Sequence, residues 1–263
     1  MTQAETLLRA FDSNRQIPLL SQKNDRLDLD TAYALAAEIA ALRVARGEVI
    51  TGRKIGFTNR TIWPIYNVNA PLWGYMYDST VADLPADGRV QLPALPEPRL
   101  EPEIAFGFAR SPSPDMSLAE VADCLEWVAH GFEIVVSLFP NWKVTAPDAV
   151  AGFGMHGAFW LGPKRPAQDI LADGLSALKD FSLTLHGPNE EHTGAGTDVL
   201  GGPLHALQHL LLETARMPGA LLIQPGEVVT TGTLTDARPI APGQVWETKF
   251  SGLALPGLRI EFI

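Results

Sequence analysis

Pro98-Arg99-Leu100-Glu101-Pro102-Glu103-Ile104-Ala105-Phe106 is an apolar run broken by two acids placed two residues apart. In an extended strand the side chains at i and i+2 share one face, which sets these carboxylates about 7 Å apart at Cβ. Burying both without a partner is costly. A divalent cation removes that penalty and creates a Lewis acid at the same spot. Alone, the pair also reads as an edge strand with two solvated glutamates. A third acid shifts the balance, because Glu133 is the single charge in Gly131-Phe132-Glu133-Ile134-Val135-Val136, another β-branched run. Three lone carboxylates on two strands of core composition resemble an oxygen-ligand site for Mg2+ or Mn2+.

Working outward, the N-terminal 47 residues read as helical. A short amphipathic helix spans Thr2 to Phe11, and Asp28 or Asp30 caps a second from about Thr31 to Arg46, ended by Gly47. From Val49 to Phe57 the pattern is strand-like, with Gly52 and Gly56 marking close backbone approaches. Short β-type runs then recur at Thr80 to Ala82, Leu100 to Phe108, Phe132 to Val136, Ala158 to Leu161, Phe181 to Leu185, Val228 to Thr231, Gln244 to Phe250 and Leu258 to Ile263. Two helices are expected among them, Ser117 to Trp127 and Pro203 to Thr214. This is the pattern of an α+β chain: a mixed, mostly antiparallel β-rich body (51–263) with a helical lead (1–50), in one domain.

Composition narrows the function. A net charge of −10 spread along 263 residues argues against nucleic acid or an anionic membrane as partner. Cys124 is the only cysteine, so no intrachain disulfide forms and a reducing cytoplasm is the expected location. Its spacing with Leu118, Val121 and Leu125 suits a small buried helical residue better than a nucleophile. Met1 to Arg9 lacks the apolar stretch of a signal peptide. Phosphate-binding loops, dinucleotide fingerprints, nucleophile elbows and paired Cys-X-X-Cys motifs are absent.

Further positions carry possible chemistry. Lys54, between Gly52 and Gly56 in an apolar strand, needs a partner if buried; it suits a substrate carboxylate or proton transfer, or else reaches solvent from a strand end. Asp78 follows an aromatic stretch and either caps a turn or does acid/base work. Lys143, after Asn141-Trp142, and His156, in the Gly154-Met155-His156-Gly157 frame, are weaker candidates for proton transfer; the histidine could also orient the far end of a substrate. Gly232 and Thr233, and the stretch Gly194-Ala195-Gly196-Thr197, offer backbone N–H groups and hydroxyls to an anion.

At these residues the sequence resembles the 2-keto-4-pentenoate hydratase and 4-oxalocrotonate decarboxylase family, within the fumarylacetoacetate hydrolase superfamily. The matching stretches run in family order from about residue 31 to 246: GRKIGFTNRTIW from Gly52, NAPLWGYMYD from Asn69, PRLEPEIAF from Pro98, EIVVSLFPNWK from Glu133, GAGTDVLGGPLHALQHL from Gly194, VVTTGTLT from Val228 and the later PGQ from Pro242. The resemblance implies a mixed β-roll preceded by helices, in a homo-oligomer. It matches Glu101, Glu103 and Glu133 to metal ligands, Lys54 and Asp78 to active-site positions, and Thr233 to a substrate-side threonine motif. Asn141, where the family more often has an acid, and the Phe153-to-His156 stretch, which replaces a serine-containing loop, depart from it.

The reaction so implied is hydration of a small 2-hydroxy-dienoic or 2-oxo-enoic acid through an enolate stabilised by the metal, with Lys54 and Asp78 moving protons. Decarboxylation of a 2-oxo-dioic acid of the oxalocrotonate type uses the same electron sink. A non-catalytic homologue that binds 2-oxo acids as a partner subunit is the alternative from another class.

Overall fold

The computed structural model of the chain describes residues 1–22, 27–60, 63–217 and 221–263. It opens with two helices, α1 (Gln3–Asp12) and α2 (Leu29–Ala45). Thr2 and Glu5 form a capping box on α1, and Asp28 accepts a hydrogen bond from the Thr31 N–H at 2.8 Å on α2. Strands β1 (Ile50–Gly56) and β2 (Leu72–Tyr77) follow, with α3 (Trp63–Tyr66) between them. Short β3 (Val81–Asp83) and β4 (Arg89–Val90) lead to the two longest strands, β5 (Arg99–Phe108) and β6 (Leu125–Val135), which are joined through α4 (Leu118–Ala122). Next come α5 (Ala146–Ala151), β7 (His156–Leu161), β8 (Arg165–Pro166), α6 (Ala167–Ile170) and the hairpin β9 (Ser182–Gly187) and β10 (Glu190–Ala195). The chain closes with α7 (Pro203–Ala215), β11 (Val228–Thr233), β12 (Arg238–Pro239), β13 (Val245–Ser251) and β14 (Arg259–Phe262).

Two sheets result. The larger runs β2-β1-β11-β5-β6-β7-β3, with β12 on β5 and β8 on β6; the smaller runs β10-β9-β13-β14-β4. Pairing is mostly antiparallel, and β1–β11, β14–β4 and β3–β7 are the parallel contacts. The main core, including Phe106, Phe132, Leu185, Trp246 and Phe262, joins the two sheets and α7. A second cluster packs Leu7, Leu35 and Ile39 of the lead helices on Phe139, Ala149 and Phe153. Gly52 does mark a close approach, since a Cβ there would overlap the Val228 carbonyl across the β1–β11 ladder.

Three expectations need correction. The helix expected over Ser117 to Trp127 stops after one turn at Ala122. Its start signal is sound, as Ser117 and Glu120 form a capping box. From Leu125, however, the chain pairs with β5 down to Val135, and a ladder of that length outweighs a weak local helix preference. Cys124 sits at that junction, buried, with its Sγ 3.3 Å from the Glu120 carbonyl. The stretch Leu72–Tyr77, read only as an aromatic run, is a fully buried strand, and Glu190–Ala195 is the second arm of a hairpin. The N–H groups expected near Gly194 are used within the chain: that of Ala195 donates to Asp198 and that of Gly196 to the Phe181 carbonyl.

Candidate metal centre

The sheet register assembles the three acids. Glu101 on β5 lies directly opposite Glu133 on β6, and Glu103 follows two residues along β5. Lys54 on β1 pairs with Thr230 on β11, which pairs with Ala105 on β5. Residues paired across a ladder share a face, so Lys54, Thr230, Glu103, Glu101 and Glu133 line one side of the sheet. One carboxylate oxygen from each glutamate lies within 4.8 Å of the others. Glu103 and Glu133 are 0% exposed, and Glu101 keeps partial access to solvent. Arg53, one residue before the lysine, faces the other way and pairs with Glu227.

Each of the two buried carboxylates has one oxygen tied and one presented. The Gly232 N–H donates to Glu103 Oε2 at 2.8 Å, and Glu103 Oε1 has no partner among the described residues. His156 Nδ1 lies 2.8 Å from Glu133 Oε1, while Glu133 Oε2 makes no hydrogen bond and has only Lys54 Nζ at 3.5 Å. The Gly232 bond exists because β11 shifts register against β5 between Thr230 and Thr233. Gly232 has φ +95°, and a Cβ there would overlap the Thr58 hydroxyl, so only glycine fits.

The charges do not balance. Burial pushes Glu133 and Glu101 up to about 7, and burial with the Glu133 charge lifts Glu103 well above the ordinary carboxylate range. Burial pulls Lys54 down, but the three carboxylates outweigh it and hold the ammonium above its usual value. With all three ionised, the carboxylates against one ammonium would leave two negative charges, which a divalent cation cancels in place of protons. Hard oxygen donors, two of them orphaned in the interior, fit Mg2+ or Mn2+.

The other expected site residues fare differently. Asp78 is not in this cluster: it is exposed at the end of β2 and accepts from the Val49 N–H at 3.0 Å, the turn-capping role of a short polar acid. Lys143 is exposed beyond a tight turn and does not join this cluster. Thr233 is opposite Glu103, but its hydroxyl donates to the Thr235 carbonyl at 2.7 Å. His156 reaches the cluster with both ring nitrogens engaged, Nε2 lying 2.9 Å from Thr80 Oγ1, so neither is left for a substrate.

Sequence reading missed four neighbours. Thr80 anchors His156. The Thr230 hydroxyl is buried beside Lys54 with no hydrogen-bond partner among the described residues. His130 braces β5 from the opposite face: Nδ1 donates to the Glu103 carbonyl at 2.9 Å, Nε2 meets Thr248 Oγ1 at 2.9 Å, and burial drops its pKa to about 4, leaving it neutral. Arg99, two residues before Glu101, stacks its guanidinium 4.1 Å from the Trp142 ring centre. Only Arg99 carried a sequence signal, the i, i+2 spacing that puts it on the carboxylate face.

Comparison with known proteins gives consistent neighbours. The chain is 30% identical over 258 residues to 2-hydroxyhexa-2,4-dienoate hydratase of Comamonas testosteroni, covering 96% of this chain and 94% of that one. It is 29% identical over 262 residues to 2-keto-4-pentenoate hydratase of Paraburkholderia xenovorans (strain LB400), covering 98% and 93%. No protein-family model matches. In fold it superposes on 4-oxalocrotonate decarboxylase of Pseudomonas putida G7, complexed with magnesium and adipate, with TM-score 0.86 at 23% identity, covering 100% of this chain and 99% of that one.

Proposed function

The chain belongs to the 2-keto-4-pentenoate hydratase and 4-oxalocrotonate decarboxylase family, and from that premise we propose that it is a metal-dependent hydratase. Its substrate is a small 2-hydroxy-dienoic or 2-oxo-enoic acid, to which it adds water. The observation that carries this reading is the convergence of Glu101, Glu103 and Glu133, with Glu103 Oε1 unpartnered among the described residues and Glu133 Oε2 held only by the Lys54 ammonium. These three side chains would hold Mg2+ or Mn2+. The ion, when bound, supplies positive charge where the substrate's carboxylate and 2-oxygen gather negative charge.

Lys54 is the proton carrier. It is buried, charged and beside the carboxylates, and Gly56 leaves room above it, since a Cβ there would meet Lys54 Nζ at 3.0 Å. An ammonium at that position can give a proton to a substrate carbon and take it back from the acid's enol form. Gly232 and Thr233 border the same space through the β11 bulge, where the Gly232 N–H holds Glu103 and the Thr233 hydroxyl is held by Thr235, so they shape the site's wall. Apolar Phe159, Leu161, Ala105 and Ala129 floor this face of the sheet and exclude water from the proton path.

One observation favours a second reading, decarboxylation of a 2-oxo-dioic acid. Arg99 has no ion pair among the described residues and is held by Trp142 on the carboxylate face, where its guanidinium suits a second substrate carboxylate. The two readings separate in one assay. Purified protein is mixed with 2-hydroxypenta-2,4-dienoate or with oxalocrotonate, with and without EDTA, while ultraviolet absorbance and CO2 are followed. Loss of the dienol band without CO2 is the expected result; CO2 release from the dioate selects the second reading, and turnover indifferent to EDTA rejects both.

A cytoplasmic homo-oligomer is the setting we propose. The lone, buried Cys124 supports a reducing compartment, and among the described residues no helix is long and apolar enough to cross a membrane. Light scattering on the eluting protein tests the assembly.

A further inference from the structure

By strand alternation alone, His156 would not share a face with Glu133. In the β6–β7 ladder Glu133 pairs with Phe159 and Ile134 with Ala158, but Val135 pairs with His156, so Gly157 is an extra residue on β7. Side chains alternate along a strand, and one inserted residue moves everything beyond it to the opposite face. Without the bulge His156 would point away from the carboxylates; with it, the ring lies against Glu133 and is 2% exposed.

The hydrogen bonds then have one consistent direction. A carboxylate only accepts, so Nδ1–H donates to Glu133 Oε1 at 2.8 Å and Nε2 must accept. The acceptor at Nε2 takes the Thr80 hydroxyl proton at 2.9 Å in preference to the more distant Tyr77 carbonyl at 3.1 Å, and Thr80 Oγ1 in turn accepts from the Tyr77 N–H at 3.1 Å. A backbone amide, a threonine, a histidine and a glutamate thus form one chain that starts on the β2–β3 turn and ends on the buried acid.

We propose that His156 is a positioning residue for metal binding: by holding Glu133 Oε1 through a bond anchored at Thr80, it commits Glu133 Oε2 to the cation. This rests on the metal-dependent reading above. Groups that hydrogen-bond to a ligating side chain fix its orientation, and losing them costs about 10–100-fold in metal affinity.

The test is Mn2+ binding by the full, metal-stripped chain, read from the free-ion electron paramagnetic resonance signal with no substrate present. His156→Ala is expected to weaken Mn2+ binding by about 10–100-fold. His156→Asn, whose amide N–H can donate to the same oxygen, is expected to recover most of that loss. Thr80→Val is expected to weaken binding several-fold and Thr80→Ser to restore it. A folded His156→Ala that binds Mn2+ like the unsubstituted chain overturns the proposal, as does His156→Asn binding no better than the alanine form. Should His156→Ala fail to fold, an unchanged Mn2+ affinity in Thr80→Val overturns it equally. Glu101→Gln separates the levels: if it too binds Mn2+ normally, the metal-centre reading itself fails, whereas loss in Glu101→Gln with none in His156→Ala sinks only the positioning role.

Discussion

Replacing Glu103 by glutamine should stabilise the metal-free protein while abolishing its response to Mg2+. Glu103 is fully buried and tightly hemmed in by Glu133, and both effects favour its protonated form. A glutamine mimics that form, since its carbonyl can still accept from the Gly232 N–H and its amide faces Glu133. The magnitude follows from the neighbour. Glu133 rises from 4.5 to about 7, which at about 1.4 kcal/mol per tenfold change in proton affinity makes an ionised carboxylate here cost on the order of 3 kcal/mol. Glu103 is likewise held well above the ordinary carboxylate range by burial and the Glu133 charge. Recovering roughly 2–3 kcal/mol should lift the Tm by about 5–10 °C at pH 8 in EDTA for a chain of this size.

The sign with pH is fixed. Between 4.5 and the raised values the folded chain binds protons that the unfolded chain has released, so metal-free stability falls as pH rises. The gap between Glu103→Gln and the unsubstituted chain should therefore be wide at pH 8 and nearly closed at pH 5. With Mg2+ at a hundredfold excess over Kd, the unsubstituted chain gains about 2.7 kcal/mol, and the variant little. Differential scanning fluorimetry over pH 5–8, with EDTA or Mg2+, reads all of this. A metal-free variant less stable than the parent at pH 8, a gap equal at both pH values, or a retained Mg2+ shift would refute the reasoning.

Lys54→Met should lower kcat by about 10²–10⁴-fold, while Mn2+ binding, measured by titration, survives because no metal-ligand oxygen is lost. Gly232→Ala should lower both Tm and Mn2+ affinity, since the new Cβ meets the Thr58 hydroxyl at φ +95° and displaces the N–H that holds Glu103; a variant with normal Mn2+ binding contradicts this. Asp78→Asn should leave kcat within about twofold and cost no more than the roughly 0.5–1.5 kcal/mol of one hydrogen bond; steady-state kinetics showing a hundredfold loss would return Asp78 to the active site.

The three clustered acids are legible because their signal is local. Two carboxylates at i and i+2 in an apolar run, and a third alone in another, stand out whatever the tertiary structure. That Glu101 and Glu133 would be direct cross-strand partners was not readable, since register depends on the whole β5–β6 ladder. Asp78, which the resemblance matches to an active-site position and whose own reading left turn capping open, lies outside the cluster, because the strand ends at Tyr77 and the next side chain turns outward to the Val49 N–H. His156 was noticed for its glycine frame, but its direction follows from a bulge whose existence is set by pairing with β6. The Ser117 helix failed because its capping box predicts where a helix starts and is silent about where a strand takes over.

Pro102, between the two glutamates, explains why this site can exist inside a sheet at all. A proline in a central strand normally breaks a ladder bond and is tolerated where the neighbour bulges. Here the Pro102 carbonyl accepts from the Leu234 N–H. In a strand a residue's nitrogen points to the same side as its carbonyl, so the Pro102 nitrogen also faces the segment where β11 shifts register. No donor is needed there. The same shift leaves the Gly232 N–H without a ladder acceptor, and that N–H goes to Glu103 Oε2 instead. The missing donor on β5 and the spare donor on β11 are thus two sides of one irregularity. A regular strand would leave Glu103 without its tether, so the break in the ladder is what makes a buried carboxylate tolerable and aims its other oxygen at the space shared with Glu101 and Glu133.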